Sequence, residues 1–202
     1  MNRNSAYLRI FLALSVCVWL HAQDTRKVPK DDKVLYVAAD GTGDYYSIQR
    51  AIAVAPETGA VISIAPGTYR EILTIDKPRI HLRSPYSDAA KTVIVFDKSA
   101  GTSGGTMNSA TVNVHGDDFL AENLTFENDF NAHHAQVPQG SQALALLVTG
   151  DRAIFRNMRL LGNQDTLYAG NKKCANAPCV PSRQYFVDCF IAGNVIAAKA
   201  NG

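Results

Sequence analysis

Three short segments of this chain share one pattern: Asn123-Leu-Thr-Phe126-Glu-Asn128, Asn157-Met-Arg-Leu160-Leu-Gly-Asn163 and Asp188-Cys-Phe-Ile191-Ala-Gly-Asn194. Each begins with a polar residue, has an apolar residue three positions later, and has an asparagine two or three positions beyond it. The segments begin 34 and then 31 residues apart, enough for one coil of chain plus a loop. No run can bury its apolar face alone, but coils stacked about 4.8 Å apart would bury all of them. The pattern predicts a solenoid of parallel strands, a β-helix, with a β-sandwich as the alternative.

The sequence before these segments is rich in short apolar runs that end at turn residues, at 34–38, 61–65, 71–75, 80–83 and 93–96. Short runs without intervening helices are typical of all-β folds. The exception is 47–55, where apolar residues follow helical spacing between an N-cap at Ser47 and a stop at Pro56. We predict that this single helix covers the N-terminal end of the stacked coils, and that 99–109 forms a long loop.

Composition and charge exclude several classes of partner. Of the 202 residues, 47% are hydrophobic and 19% are charged, which is typical of one soluble globular domain. Without Arg3 and Arg9, which lie in the leader described next, 18 basic residues balance 18 acidic ones, and Lys and Arg form no run. We therefore expect neither nucleic acid nor an anionic membrane surface as a partner.

The N-terminus has the three parts of a secretory signal peptide. Residues 1–9 are polar with two arginines, 10–20 are an apolar run of eleven residues, and Ala22 provides a small residue for cleavage. Eleven residues are too few for a transmembrane helix, which needs about 20. A lipoprotein signal at Cys17 is disfavoured because Val16 precedes it. The predicted organisation is a signal peptide at 1–22, a flexible lead-in at 23–33 and a domain at 34–202, secreted to the extracellular space or periplasm.

Export makes disulfides possible for the three cysteines outside the leader. Cys174 and Cys179 bracket a short loop and either pair locally or remain free thiols, since too few soft ligands lie nearby for zinc. Cys189 lies in an apolar run, and we expect it to be a small buried apolar side chain.

Two motifs resemble functional sites, but their surroundings argue against them. Gly101-Thr-Ser103-Gly-Gly105 matches the Gly-x-Ser-x-Gly nucleophile elbow, which requires a strand before the serine and a helix after it. Here the neighbours are glycine, serine and threonine, which favour a flexible loop. His133 and His134 are adjacent, so they would point apart on a strand, and a solvated pair in a loop is favoured over a metal site.

A stronger candidate combines two carboxamides with a carboxylate. Gln142 precedes Gln164 by 22 residues, about one coil of a β-helix, so their side chains could stack on one outer face. Two amide groups there would form an oxyanion site, and Asp165 could transfer a proton beside them. The alternative is a structural role, since Asn, Gln and Asp are ordinary residues at the corners of β-solenoids.

Five motifs resemble those of pectin methylesterases in order and spacing. They are Tyr36-Val-Ala-Ala-Asp-Gly-Thr-Gly-Asp44, Gly67-Thr-Tyr69-Arg-Glu71, Asn108-Ser-Ala-Thr-Val112, Gln142-Ala-Leu-Ala-Leu146 and Gly162-Asn-Gln164-Asp165-Thr-Leu-Tyr168. The resemblance extends from about Val34 to Val195. It implies a right-handed parallel β-helix, secreted and without a metal or organic cofactor. The implied enzyme takes part in pectin degradation, hydrolysing methyl esters of homogalacturonan to methanol and free carboxylates.

The resemblance also implies roles for particular residues. Asp165 matches the general acid/base, which protonates the departing methanol and later activates water. Gln142 and Gln164 match the amides that stabilise the negative charge of the tetrahedral intermediate. Thr106 falls at a substrate contact, as does Gln142. The signature at 67–71 is interpreted as structural, a turn with a buried polar anchor.

The chain departs from the family pattern after Val195. There the family continues with Asp-Phe-Ile-Phe-Gly, whose aspartate is the nucleophile, whereas this chain has Ile196, and an alkyl side chain cannot attack an ester. The later Leu-Gly-Arg-Pro-Trp stretch and the remaining coils are absent from the sequence. We expect little or no esterase turnover from these residues. We also expect a solenoid truncated at its C-terminus, with an exposed apolar end and a monomer only if complete.

Three functions are compatible with this sequence. The first is a pectinesterase whose catalytic domain is incomplete here, and the second is a non-catalytic β-helix that binds pectin. The third is a lyase-like β-helix enzyme, which would need Ca²⁺ held by clustered aspartates that the sequence lacks. Pectin binding without methanol release would favour the second, and Ca²⁺-dependent unsaturated products would favour the third.

Overall fold

The computed structural model describes residues 34–134, 140–172 and 181–193. Within these ranges, successive coils of the chain contribute strands in turn to three parallel sheets. The first sheet contains β1 (Val34–Val37), β2 (Ala60–Ile64), β5 (Ile80–Arg83), β8 (Leu120–Glu122), β11 (Ala153–Arg156) and β14 (Gln184–Val187). The second contains β3 (Gly67–Arg70), β6 (Thr92–Phe96), β9 (Thr125–Asn128), β12 (Arg159–Leu161) and β15 (Phe190–Ala192). The third contains β4 (Leu73–Ile75), β7 (Val112–Val114), β10 (Leu146–Val148) and β13 (Leu167–Ala169).

The predicted parallel β-helix is confirmed, and the β-sandwich alternative is wrong. Each strand pairs in parallel with the strand that holds the same place in a neighbouring coil, as in β5 with β8 and β8 with β11. The register stacks identical positions, so Leu82, Ala121 and Phe155 form one inward column and are all fully buried. Coil stacking therefore buries apolar faces that no single coil could bury.

The repeated pattern marks the turn between the first and second sheets. Asn123, Asn157 and Asp188 have φ angles of 60°, 50° and 54°, a left-handed conformation that Asn and Asp tolerate better than most residues. The Asn157 side-chain amide donates to Asn123 Oδ1 at 2.8 Å, so the amides form a ladder along the solenoid. Three residues after each of the first two anchors, Phe126 and Leu160 pair in register and are fully buried.

The predicted N-terminal helix is present as α1 (Ile48–Val54). Ser47 is its N-cap and accepts a hydrogen bond from Arg50 N at 3.2 Å. The Glu71 carboxylate also accepts from the amides of Ile48 and Gln49, at 2.8 and 3.0 Å, which satisfies further donors at the helix N-terminus. The helix packs against β1, β2 and β4 and so covers the N-terminal end of the stack.

The signature at 67–71 is structural, but its description as a turn is wrong. Gly67–Arg70 is the strand β3, and Tyr69 points into the core, where it is 3% exposed and its hydroxyl donates to Ala65 O at 2.9 Å. The preceding Pro-Gly pair gives a turn signal, yet the chain enters the second sheet at the glycine.

The prediction of a single helix and a long loop at 99–109 is also wrong. This segment contains a helical turn, α2 (Ala100–Ser103), and a 3₁₀ helix at Thr106–Ser109. A capping box between Ser99 and Thr102 starts α2, and Gly104 ends it with φ 77°. Another helical turn, α3 (Phe130–His133), follows β9, and a 3₁₀ helix covers Ala89–Lys91.

Several sequence predictions concern residues outside the described ranges. These are the leader and lead-in, the pairing of Cys174 with Cys179, and Ile196, so the predicted boundaries at 22 and 33 stay predictions. All described residues lie in one compact unit. Cys189 is only half-buried, less than predicted, and its thiol contacts Phe155 O at 3.4 Å. No helix of the described residues is long and apolar enough to cross a membrane.

Candidate active site at the start of the third sheet

Gln142 and Gln164 lie next to each other on neighbouring coils, immediately before β10 and β13. They form an isolated parallel β-bridge, in which Ala143 N donates to Gln164 O at 2.9 Å. Both residues are partly exposed. The stacking predicted from their spacing is confirmed, and it brings two carboxamides to one edge of the third sheet.

A β-bulge separates this bridge from the strands that follow it. Gln142 pairs with a residue 22 positions later, whereas Leu146 pairs with Leu167, only 21 positions later. The extra residue lies in the coil of Gln142, and Thr166 O accepts from both Ala145 N and Leu146 N, at 2.9 and 3.3 Å. Bulges interrupt the alternation of side chains and change the direction in which they point. The register change therefore coincides with the candidate site.

Asp165 lies opposite this bulge and has an unusual backbone conformation. Its φ is 59°, in the left-handed region, which costs an L-residue roughly 1 to 2 kcal/mol relative to its preferred conformations. The side chain is half-buried, and within the described ranges no hydrogen bond or ion pair engages its carboxylate. A carboxylate that none of the described residues engages is a candidate for contact with a ligand.

The next residue, Thr166, fixes this turn against the following coil. It is fully buried, and its hydroxyl donates to Ala192 O at 3.2 Å. A Cβ at Gly193 would lie 2.1 Å from Thr166 Oγ1 and 2.6 Å from Asn163 O, so only glycine fits beneath the turn. Close packing of successive coils thus holds Asp165 in place.

Thr106 lies on a segment attached to the same coil, but it makes no described contact with either glutamine. Its carbonyl oxygen accepts from Ser109 Oγ at 2.6 Å, and that hydroxyl accepts from Leu144 N at 3.2 Å. The Asn128 amide donates to both Ser109 O and Leu144 O, at 2.9 and 3.0 Å. These bonds fix the 3₁₀ helix of Thr106 beside the coil of Gln142.

The outer face of the third sheet is apolar near the two glutamines. Ala110, Leu144 and Leu147 are buried there in a cluster separate from the main core, and Tyr168 packs against it. The Tyr168 ring lies so close to Gly170 that a Cβ there would be 2.5 Å from it. The sequence analysis quoted Tyr168 within a motif but gave it no role. An aromatic ring beside polar groups is typical of a ligand site.

The two other motifs do not form sites of their own. Ser103 lies in α2 and donates to Ser99 O at 2.6 Å, so no strand-turn-helix elbow exists. The two histidines are exposed, as predicted, but His133 lies at the end of α3 and not in a loop, and it contacts Asp129 at 2.9 Å. His134 follows the helix, and its ring stacks on Phe130. In the described part of the chain, no three His, Cys, Asp or Glu side chains could together hold a metal ion.

This arrangement suits chemistry at a carbonyl group. Amide N–H groups at one edge can donate to an oxygen that becomes negatively charged, and an adjacent carboxylate can give or accept a proton. The sequence analysis identified these three residues, but it missed the bulge between them. It also missed Ser141, whose hydroxyl donates to Gln164 Oε1 at 2.9 Å.

Comparison with known proteins identifies similar sequences and structures. The family model described as Pectinesterase matches residues 34–199. Pectinesterase 31 of Arabidopsis thaliana is 36% identical over 179 residues, covering 81% of this chain and 50% of the relative. A pectinesterase of Daucus carota is 37% identical over 162 residues, covering 79% of this chain and 46% of the relative. The chain thus spans about half the length of these curated relatives.

A solved structure is similar over the same region. A mutant pectin methylesterase in complex with a hexasaccharide matches with a TM-score of 0.68 and 35% identity, covering 79% of this chain and 49% of that one.

Proposed function

Because the chain belongs to the pectinesterase family of carboxylic ester hydrolases, we propose that it hydrolyses methyl esters of homogalacturonan when its site is complete. The products are methanol and free galacturonate carboxylates. We assign to this chain the oxyanion-stabilising and proton-transferring part of that site. The observation that carries the assignment is the Gln142–Gln164 bridge beside the carboxylate of Asp165, which no described residue engages.

The proposed chemistry follows from the groups at this edge. Attack on the ester carbonyl makes its oxygen negative, and the amide N–H groups of Gln142 and Gln164 donate to it. Collapse of this intermediate breaks the C–O bond to methanol, whose oxygen receives a proton from Asp165. The acyl group then remains bonded to the carboxylate nucleophile that a complete site would supply. Asp165 accepts a proton from the water that attacks this acyl group, breaks that bond and forms the free carboxylate. These three residues supply no nucleophile, and Ile196, at the family's nucleophile position, lies outside the described ranges.

We further propose that the substrate chain lies along the outer face of the third sheet. The partly exposed ring of Tyr168, at the edge of the buried apolar cluster there, suits the apolar face of a sugar. In this proposal Thr106 contacts a neighbouring sugar, and Gln142 contacts the reacting one. The solved complex of a related pectin methylesterase with a hexasaccharide supports a pectin-type partner.

Secretion and a monomeric state complete the proposal. Secretion rests on the predicted signal peptide at 1–22, and N-terminal sequencing of the exported protein would reveal cleavage after Ala22. The monomeric state refers to the complete protein, and sedimentation analysis would measure it.

The decisive experiment measures methanol release from methyl-esterified oligogalacturonides by three proteins: the chain itself, Ile196→Asp, and Ile196→Asp with Asp165→Asn. We expect release to rise in Ile196→Asp because a carboxylate can attack the ester. We expect the added Asp165→Asn change to remove that gain.

Binding of the same oligosaccharides is measured in parallel. Binding by all three proteins without methanol release from any would overturn the esterase proposal in favour of a pectin-binding module. Unsaturated products that require Ca²⁺ would instead identify a lyase. Neither binding nor release would reject both the esterase and the binding proposals.

A further inference from the structure

Ser141 makes the one described hydrogen bond to the side chain of Gln164. Its hydroxyl donates to Gln164 Oε1 at 2.9 Å. A carboxamide has a donor end and an acceptor end that are nearly identical in shape, so only its hydrogen bonds decide which end faces a ligand. With Oε1 bonded to Ser141, the Nε2 donor of Gln164 points away from Ser141. The hydrogen bond thus holds the amide in the orientation that an oxyanion requires, with Nε2 directed away from Ser141.

Ser141 is itself held by backbone contacts on both sides. Gly140 O accepts from Gly101 N at 3.0 Å, and Gln142 O accepts from Ala100 N at 2.8 Å. The first turn of α2 therefore fixes the carbonyl groups that flank Ser141. The other side of this segment is fixed by the bridge to Gln164.

The approach of the two backbones depends on glycine at position 140. Gly140 has φ 72°, and a Cβ there would lie 2.7 Å from Gly101 N and 2.8 Å from Gly101 Cα. Any side chain at this position would push α2 away from residues 140–142. The Gly101–Gly105 motif does not form a nucleophile elbow. Its first glycine instead makes the close backbone contact with Gly140.

We propose that Ser141 is a positioning residue for the Gln164 carboxamide, and that the backbone contact between Gly101 and Gly140 holds Ser141 for this purpose. The inference deepens the proposed function and rests on it for its kinetic consequence. An oxyanion site is effective when its donors already point at the developing charge. Without this hydrogen bond, the amide is free to turn and present Oε1 to the oxyanion, which the partial negative charge of Oε1 repels.

The first experiment detects the hydrogen bond by NMR and does not depend on turnover. A bond accepted at an amide oxygen strengthens the C–N double bond and slows rotation of the NH₂ group. In the ¹⁵N-labelled full chain, exchange between the two Gln164 amide protons reports that rotation, and the loss of their signals in Gln164→Glu assigns them. We expect Ser141→Ala to speed the exchange about 2- to 10-fold, which corresponds to the loss of one hydrogen bond. Ser141→Thr, which keeps a hydroxyl, should restore the slow exchange.

Thr68→Ala is the matched control, because Thr68 is an exposed hydroxyl residue on a different sheet. It should leave the Gln164 signals unchanged. Unchanged Gln164 signals in Ser141→Ala would overturn the proposal. Backbone shifts spread over the whole third sheet in that variant would also overturn it, because they would show a general structural role.

The second experiment tests the consequence for catalysis in the Ile196→Asp protein. Adding Ser141→Ala should lower kcat about 2- to 10-fold and leave KM unchanged, and adding Ser141→Thr should restore kcat. If Ile196→Asp itself releases no methanol, the esterase proposal fails while the NMR result still decides the role of Ser141. A rise in KM at constant kcat would contradict positioning and indicate substrate binding instead.

The glycine contact is tested with a pair of matched variants. Gly140→Ala should reproduce the fast Gln164 exchange of Ser141→Ala, because the new Cβ displaces the segment from α2. Gly104→Ala has a similar φ of 77° but open space around its Cβ, so it carries the backbone strain without the collision. Equal Gln164 signals in the two variants would contradict a role for the contact.

Discussion

Two sets of turns in this solenoid place aspartates in the same backbone conformation but give them different surroundings. The first set, which we call the charged turn stack, includes the turns at Asp118 and Arg152, and both residues have φ 58°. The Arg152 guanidinium donates to the Asp118 carboxylate at 2.6 and 2.9 Å. In the amide site, formed by Gln142, Gln164 and Asp165, the aspartate has φ 59° and no described partner. A left-handed turn is thus a general device for changing direction in this fold, and it does not by itself indicate function. The two aspartates differ instead in the partners that the described residues give to their carboxylates.

The charged turn stack continues to the last described coil. Asp151 pairs with Arg183 at 2.8 Å, and hydrogen bonds from the Arg183 side chain and backbone hold the pKa of Asp151 well below its ordinary value. Hydrogen bonds from Arg152 likewise lower the pKa of Asp118. These carboxylates are bound to neighbouring side chains, whereas no described residue bonds to the carboxylate of Asp165.

The largest expected effect is on turnover, and it separates the two aspartates. In the Ile196→Asp protein, Asp165→Asn should reduce methanol release about 100-fold or more, because an amide cannot transfer the proton. Asp118→Asn, in the same backbone conformation, should leave release unchanged. Initial rates of both double variants test this difference. Equal losses would show that the turns matter through their structure alone.

The next largest effect is a loss of stability when alanine replaces a glycine that allows a neighbouring coil to approach one of these turns. Gly193→Ala would place its Cβ 2.1 Å from Thr166 Oγ1, and Gly59→Ala would place its Cβ 2.3 Å from Arg79 O. Each should lower the free energy of unfolding by about 1 to 3 kcal/mol through overpacking, as measured by urea denaturation. Only Gly193→Ala should also reduce methanol release by the Ile196→Asp protein, since it alone lies beneath Asp165. A loss of release in Gly59→Ala would contradict this local effect.

These two regions also show what could be predicted from sequence. The repeat at Asn123, Asn157 and Asp188 predicted the coil length because turn residues recur once per coil. A shorter step of 22 residues, about one coil without a long loop, predicted that Gln142 and Gln164 would stack. A periodicity that extends over many residues can be detected in a single sequence. The stacked coils and the neighbouring glutamines depend on it, so both were predicted correctly.

Features set by single contacts between distant segments left no such signal. Helix α2 is one turn long, too short for helical periodicity, and its capping box uses residues that are equally common in loops. The bulge adds one residue to one coil. In the sequence, a difference of one residue cannot be distinguished from ordinary variation in loop length. The role of Ser141 depends on Gly101, 40 residues earlier in the chain, and only the folded structure brings them together.

A smaller effect is expected on the pH dependence of stability. The folded-state pKa values of Asp118 and Asp151 are lowered, so their contribution is present above the unfolded-state pKa of about 4 and is lost as pH falls through the folded-state values. The free energy of unfolding should therefore decrease as pH falls from about 5 towards 2. Asp151→Asn should flatten this dependence, which urea denaturation at several pH values would measure. An unchanged slope would show that the pairing of Asp151 does not persist in solution.

The smallest effect is expected on stability when Arg152, the cation in the middle of the charged turn stack, is replaced by a neutral residue. Arg152 is 48% exposed, and ion pairs at such positions are weakened by solvent and salt. The turns are also joined by backbone bonds, since Arg79 N donates to Asp117 O at 2.8 Å and Asp118 N donates to Asp151 O at 2.9 Å. Because these bonds set the register, Arg152→Gln should leave the urea midpoint at neutral pH and moderate salt close to that of the unmodified chain. A large drop would show that charge pairing holds these turns together, and the contrast with the amide site would then lie in stability as well as in chemistry.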